Sequence, residues 1–582
     1  MSKKVEHIIS LLFVLFLIYS CANVVSPTGG PRDTDPPVVK ESNPGNYAVN
    51  FNDNKILISF NEFIQLKNAS QKLIVSPPLA ETPKLLVKGK TLSIQLNNEL
   101  LENTTYTLNF LNSVADLNEG NAENNFQFVF STGNYIDSFQ IRGFISDAYT
   151  LEKQKDIFVL LYENLSDTAP IKEKPIYVTK TNEQGEFHLK YIKNGSFKIY
   201  ALSDANNNLM FDLPNEKFAF YDSLIIPSFE YKMIVDSANI DSVRIDTSIV
   251  YKPDNIKMFL FSEDNKKQFL SGSSRPLKYK LNFLFNIPLI DSFFNFSISG
   301  INQSDDKAFI NEISNNSDSL TVYITDSIIY NQDTLNCIIN YLIKDSVDQL
   351  INHFDTLNLT VKSLVKKQKD IVRPDSILVH KINVLDGNIF DINKELTIEF
   401  YYPVENIDND KIKLYEFTDS VKNPIEFSLI KDKNSRKYIF EYPFISEKKY
   451  RLDVLYGSFS DHYNHFNDSI SVNFTMQKSD QYGKLILHIE KPQSSFFILL
   501  TDEKDVVLQT FYSDDIRKNK ITIPYLKPGN YKIKAIIDTN GNKKWDSGNY
   551  LKKIQPEKVI KYHETINIRS NWDLELDWNI NK

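Results

Sequence analysis

Cysteine is almost missing from this chain: Cys21 and Cys337 are the two in 582 residues. A disulfide framework is therefore excluded, and each domain must stand on its own hydrophobic core. Glycine is scarce at 17, and no glycine-rich phosphate loop, H-E-x-x-H helix or G-x-S-x-G elbow occurs, so no familiar catalytic motif is present. The formal net charge of −8 is spread along the chain without a basic stripe, which argues against nucleic acid as a partner. Beyond residue 20 no run is long and apolar enough for a membrane-spanning helix. No stretch shows a sustained 3.6-residue amphipathic period. What the chain does have is 42% hydrophobic and 13% aromatic residues, enough at this length for several domain cores.

The pattern that fills it is alternation. Ile56, Ile58 and Phe60 fall on one face, as do Leu92, Ile94 and Leu96, then Tyr106, Leu108 and Phe110, then Phe126, Phe128 and Phe130. Such short period-two runs, separated by Asn, Gly, Pro or Asp, mark half-buried strands of sandwiches or barrels. The expected fold class is all-β, as tandem β-sandwich modules.

At the N-terminus Lys3 and Lys4 precede the apolar run Ile8 to Tyr19, and Ile18-Tyr19-Ser20-Cys21 follows. A basic stretch, a short apolar stretch and a small residue before a break describe a secretory signal peptide. Its ending resembles the lipobox of bacterial lipoproteins. That resemblance implies a signal over 1–20, lipidation (palmitate included) at Cys21, and a membrane anchor through the N-terminal lipid. Cys337 would then have no partner. Residues 21–37, rich in Pro, Gly and small polar residues, read as a lipidated tether without packing.

Three pairs of segments repeat, and they define two pairs of modules. KILISFNEF (55–63) is like ELTIEFYYP (395–403), and ENTTYTLNF (102–110) is like SEKKYRLDV (446–454). Tyr106 and Tyr450 precede loops carrying Asp116 and Asp461, and a hydroxyl folding back onto the preceding turn would be a tyrosine corner. The modules at 38–133 and 375–477 resemble the bacterial Ig-like domain of the SbsA type. GSFKIYALSDANNNLMFD (195–212) aligns without a gap with GNYKIKAIIDTNGNKKWD (529–546). The modules at 136–230 and 480–582 resemble the prealbumin-like or carboxypeptidase-regulatory-like β-sandwich. The stretch 254–370, with Leu281, Phe283, Phe285 and Leu357, Leu359, Val361, reads as a diverged sandwich. As a whole the chain is similar to Ig-like-domain lipoproteins of Bacteroidota. This implies an outer-membrane protein working with outer-membrane or cell-envelope partners. Ala22, Asn23, Val24 and Val25 follow the cysteine where surface-exported members often carry acidic residues, so the periplasmic and cell-surface faces both stay open.

The repeated loop holds the candidate site. Asp204, Asn206, Asn208 and Asp212 recur at the same offsets as Asp538, Asn540, Asn542 and Asp546. Alternate side-chain oxygens on a tight loop can converge on calcium, as in the first part of an EF-hand loop. Leu209 or Lys543 stands where that loop needs glycine, and Asn215 or Asn549 where it needs glutamate, with Glu216 one place further in the first copy alone. The other reading is an Asx-rich turn capping its own backbone. His462 and His465 beside Asp461 look like metal ligands, but the other Ig-like copy has no histidine there, so a fold requirement is expected. Trp572, Leu574, Leu576 and Trp578 alternate as a half-buried final strand should, although an aromatic strip could also meet a glycan. The function expected is a non-enzymatic scaffold or accessory subunit of an envelope assembly. The alternative is a calcium-stiffened adhesin or glycan-binding lipoprotein.

Overall fold

The computed structural model describes residues 33–581, apart from 98, 237–243, 265–266, 300–307, 315, 346–348, 362–376, 434–435, 491 and 493. Cys21 and the signal segment lie outside the described residues. The chain is nearly all β, and no helix among the described residues is long and apolar enough to cross a membrane. It divides into two compact units. One reaches to Ser262 and takes in Tyr550–Lys552; the other is the remainder from Glu263 onward.

In the first unit the Ig-like module pairs Lys55–Phe60 with Thr91–Gln95 in one sheet, and Thr105–Asn109 with Gln127–Ser131 in another. The alternating residues meet between them: Ile56, Ile58, Leu92, Ile94, Leu108 and Phe130 are fully buried. The last residues of the expected tether belong to this module. Pro37 is buried, and the Asn121 amide donates to the carbonyls of Asp33 (2.9 Å) and Asp35 (3.4 Å). A proline-rich segment can dock in this way because it has few backbone N–H groups to satisfy.

The module that follows, for which the sequence suggests a regulatory-like sandwich, is a seven-stranded sheet built around Phe139–Asp147, Phe158–Tyr162, Glu186–Ile192 and Lys198–Ser203. Its end differs from the sequence reading, which closes the module at 230 and opens the next at 254. Ile256–Ser262 pairs in parallel with Phe139–Asp147, and Ile256, Met258 and Leu260 complete this module's core. The hairpin formed by Ser228–Asp236 and Arg244–Lys252 intervenes and hides the continuity. Gly143 permits the parallel approach, since a Cβ there would lie 2.2 Å from the Ile256 carbonyl oxygen.

In the second unit the middle region holds two sheets. One sheet holds Leu270–Leu277, Lys280–Phe285, Phe309–Ile313 and Ser319–Ile324, and the other Phe294–Ile298, Thr334–Lys344 and Leu350–Thr360. Cys337 is buried in its core, where burial pushes the thiol up to about 12. The second Ig-like module repeats the first, with Leu396–Phe400 against Lys437–Glu441 and Lys449–Val454 against Ile470–Met476. In the last module Asp573–Asn579 pairs in parallel with Gly483–Glu490, as Ile256–Ser262 does with Phe139–Asp147. Trp578 is buried and Leu574 and Leu576 half-buried, whereas Trp572, one residue before the strand, stays 61% exposed.

Candidate functional site

Both tyrosines close corners. Tyr106 Oη accepts from Leu101 N at 2.8 Å, and Tyr450 Oη accepts from Ile445 N at 3.0 Å. The loops beyond them are organised by their buried aspartates. Asp116 accepts from the backbone N–H groups of Glu119, Gly120 and Asn121 at 2.6, 3.0 and 2.6 Å. Asp461 accepts from those of Tyr463 and His465 at 2.8 and 2.9 Å, and its other oxygen meets His465 Nδ1 at 2.7 Å. His462 lies instead 3.7 Å from Glu405. Capping of a shared loop explains this arrangement without a metal.

The duplicated Asp/Asn loops each leave a strand, Lys198–Ser203 or Gly529–Ile537, and fold over their first aspartate. Asp204 accepts from Asn206, Asn207 and Leu209 N–H groups; Asp538 accepts from those of Gly541, Asn542 and Lys543. The amides of Asn206 and Asn208 donate to Asp212 at 3.1 and 2.8 Å, and those of Asn540 and Asn542 to Asp546 at 2.6 and 2.7 Å. The structure thus brings each predicted set together.

It also adds a member to each set. Buried Glu216 accepts from the N–H groups of Ala205, Asp212 and Leu213. Buried Glu557 accepts from those of Thr539 and Asp546. Glu557 is the counterpart of Glu216, missed because the second loop carries extra residues. The signal was its place just before the next strand, Val559–Lys561, as Glu216 precedes Lys217–Phe220. The loop carboxylates serve the loop's own backbone and amides. Among the described residues no group of three or more His, Cys, Asp or Glu is placed to hold a metal ion.

A second feature has no counterpart in the motifs. Within the first unit a cleft of about 530 Å³ lies between outward side chains of the Ig-like and regulatory-like modules. Arg142 and His188 stand on paired positions of neighbouring strands, and Arg142 Nε donates to His188 Nε2 at 3.2 Å. Burial, with the nearby Arg142 and Lys190 cations, pushes the imidazole down to about 4, so His188 is neutral at physiological pH. Because several strands contribute one to three outward residues each, no contiguous stretch of sequence announces this cleft.

Comparison with known proteins bears on the fold. Residues 33–132 match the model of the Bacterial Ig-like domain. No curated protein matches the chain. BcpA, the major pilin subunit of Bacillus cereus, is 9% identical over 76% of this chain and 99% of that one, with a TM-score of 0.13. Native alpha-2-macroglobulin from Escherichia coli (domains MG0-NIE-MG1) is 14% identical, covering 51% and 97%, with a TM-score of 0.18. A Bacteroides ovatus mixed-linkage glucan utilization locus protein, SGBP-B, is 9% identical, covering 75% and 94%, with a TM-score of 0.16. Scores this low carry nothing about function. The chain is a multi-domain β-sandwich protein with a bacterial Ig-like domain.

Proposed function

We propose that this protein is a non-enzymatic, lipid-anchored scaffold or accessory subunit of an envelope assembly, held at the outer membrane through Cys21. The supporting observation is how modules are joined inside each unit. In the first, Ser76 Oγ accepts from Val178 N at 3.1 Å, and Tyr47 and Tyr191 hydroxyls meet at 3.0 Å. In the second, Arg436 pairs with Glu312 at 2.8 Å, the rings of Tyr279 and Tyr463 stack at 4.0 Å, and Lys527 pairs with Asp391 at 2.7 Å. Neighbouring modules that carry specific contacts with one another suit a role in spacing and docking. Fractionation of cells carrying Cys21→Ser tests the anchor. The variant should leave the membrane fraction, because each buried acyl methylene contributes about 0.8 kcal/mol and the serine cannot carry the chain. Retention after a high-salt wash would place the anchor elsewhere.

A second reading is a calcium-stiffened adhesin or glycan-binding protein. It is favoured by the recurrence of one Asp-Asn-Asn-Asp set at the same offsets in both loops, with a glutamate behind it delivered from two different spacings. Thermal unfolding with chelator and with millimolar calcium separates the two. A calcium-dependent rise lost in Asp538→Ala would support the metal, and equal midpoints would leave the loops as capped turns.

A further inference from the structure

The cleft of the first unit carries an imbalance of charge partners. Its cations are Arg142, Lys180 and Lys190, and among the described residues none of them forms an ion pair with a carboxylate. Of the two carboxylates lining the same cleft, Glu186 accepts from the neutral amide of Asn182, also in the cleft, at 3.0 Å and keeps its charge, while Asp254 pairs with Lys252 at 2.9 Å, so the cations outnumber the carboxylates. Lys180 is half-buried with its ammonium 4.1 Å from the centre of the Phe158 ring, and burial lowers its pKa. His188 is neutral there and contributes no charge. Lys180 and Lys190 are half-buried and Arg142 is exposed; the desolvation of the two lysines is a cost that a ligand's negative charge would offset.

The opposite wall is of another kind. Asn109, Asn125 and Gln127 of the Ig-like module line it, and primary amides offer donors and acceptors to hydroxyl groups. Asn109 Oδ1 accepts from Leu111 N, which orients its amide group. A volume of about 530 Å³ falls within the range of roughly 300–1,000 Å³ typical of small-molecule sites, and is far more than a single inorganic anion needs.

We infer that this cleft binds an acidic saccharide, its carboxylate held by Arg142, Lys180 and Lys190 and its hydroxyls by the amides of Asn109, Asn125 and Gln127. The site does not depend on the scaffold role: it would stand if no protein partner were found.

Isothermal titration of the full-length protein in detergent with trigalacturonate, neutral maltotriose and inorganic phosphate tests it. Trigalacturonate should bind saturably and more weakly as salt is raised. Arg142→Gln or Lys180→Gln should each weaken binding about tenfold, the loss of one charge-assisted hydrogen bond. Arg142 is exposed, so its variant should melt like the wild type. Lys155→Gln, which removes an exposed pair with Glu183 outside the cleft, should leave binding unchanged. Three results would overturn the inference: no binding of trigalacturonate, equal binding of maltotriose, or phosphate binding as tightly as trigalacturonate.

Discussion

In the first regulatory-like module the closing glutamate reaches back 11 residues, from Glu216 to the N–H of Ala205; in the second it reaches back 18, from Glu557 to the N–H of Thr539. The first aspartate, the paired asparagines and the last aspartate keep their offsets in both. What the two copies preserve is thus a set of acceptors for backbone N–H groups, and the length of chain that delivers the final acceptor is free to change. Loop length costs little entropy once the ends are fixed, whereas a buried N–H without an acceptor is expensive. The comparison ranks the glutamate with the aspartates as a structural member of the loop.

The largest effects are expected where that ranking can be broken. Glu216→Ala and Glu557→Ala should each lower stability by roughly 2 to 4 kcal/mol, since at least two N–H groups lose a buried acceptor. Denaturant unfolding measures it, and a loss in one copy alone would end their equivalence. Calcium sharpens the same comparison. If the loops bind it only when folded, each gains about 2.7 kcal/mol at one hundred times Kd. The gain should vanish in Asp204→Ala and Asp538→Ala, read as the difference in melting midpoint between calcium and chelator.

The duplicated Ig-like modules allow a finer test. Tyr450 Oη also donates to Glu416 at 3.3 Å, a contact with no equivalent at Tyr106 among the described residues. Tyr450→Phe should therefore cost more than Tyr106→Phe, roughly 1.5 to 3 against about 1 kcal/mol, on the scale of charged and neutral hydrogen bonds. Equal losses would show that the glutamate contact adds nothing.

Acid provides another contrast. Burial pushes the Asp116 carboxyl up, but bonds from the N–H groups of Gly120, Glu119 and Asn121 together outweigh it and hold the pKa below its ordinary 3.8. A depressed folded pKa contributes stability that is complete above the ordinary carboxylate value and lost as pH falls through the folded value. Asp116→Asn should flatten the acid limb of the stability profile below about pH 4. The smallest effect concerns Asp33 to Pro37: removing them should lower stability by about 1 kcal/mol, the scale of the Asn121 hydrogen bonds, whereas shortening the chain only before Asp33 should not.

These comparisons also mark what the sequence could disclose. Alternation at Ile56, Ile58 and Phe60, the tyrosine corners and both duplications were legible because each is a local pattern that the fold repeats. Ile256–Ser262 was misassigned because parallel pairing leaves no turn signal and a hairpin separates it from its sheet. Glu557 was missed because the alignment followed spacing from Asp538 rather than the start of the next strand. The Arg142 cleft was invisible for a different reason: two modules share it, and its residues alternate with core residues that dominate the pattern.

The scaffold account is tested most directly by crosslinking in the intact cell envelope, followed by purification through a C-terminal tag, with wild type and Cys21→Ser in parallel. The account predicts a reproducible set of envelope proteins crosslinked to the wild type and lost when the anchor is removed. An identical set from both forms, or a wild type that crosslinks to nothing in the membrane, would contradict it.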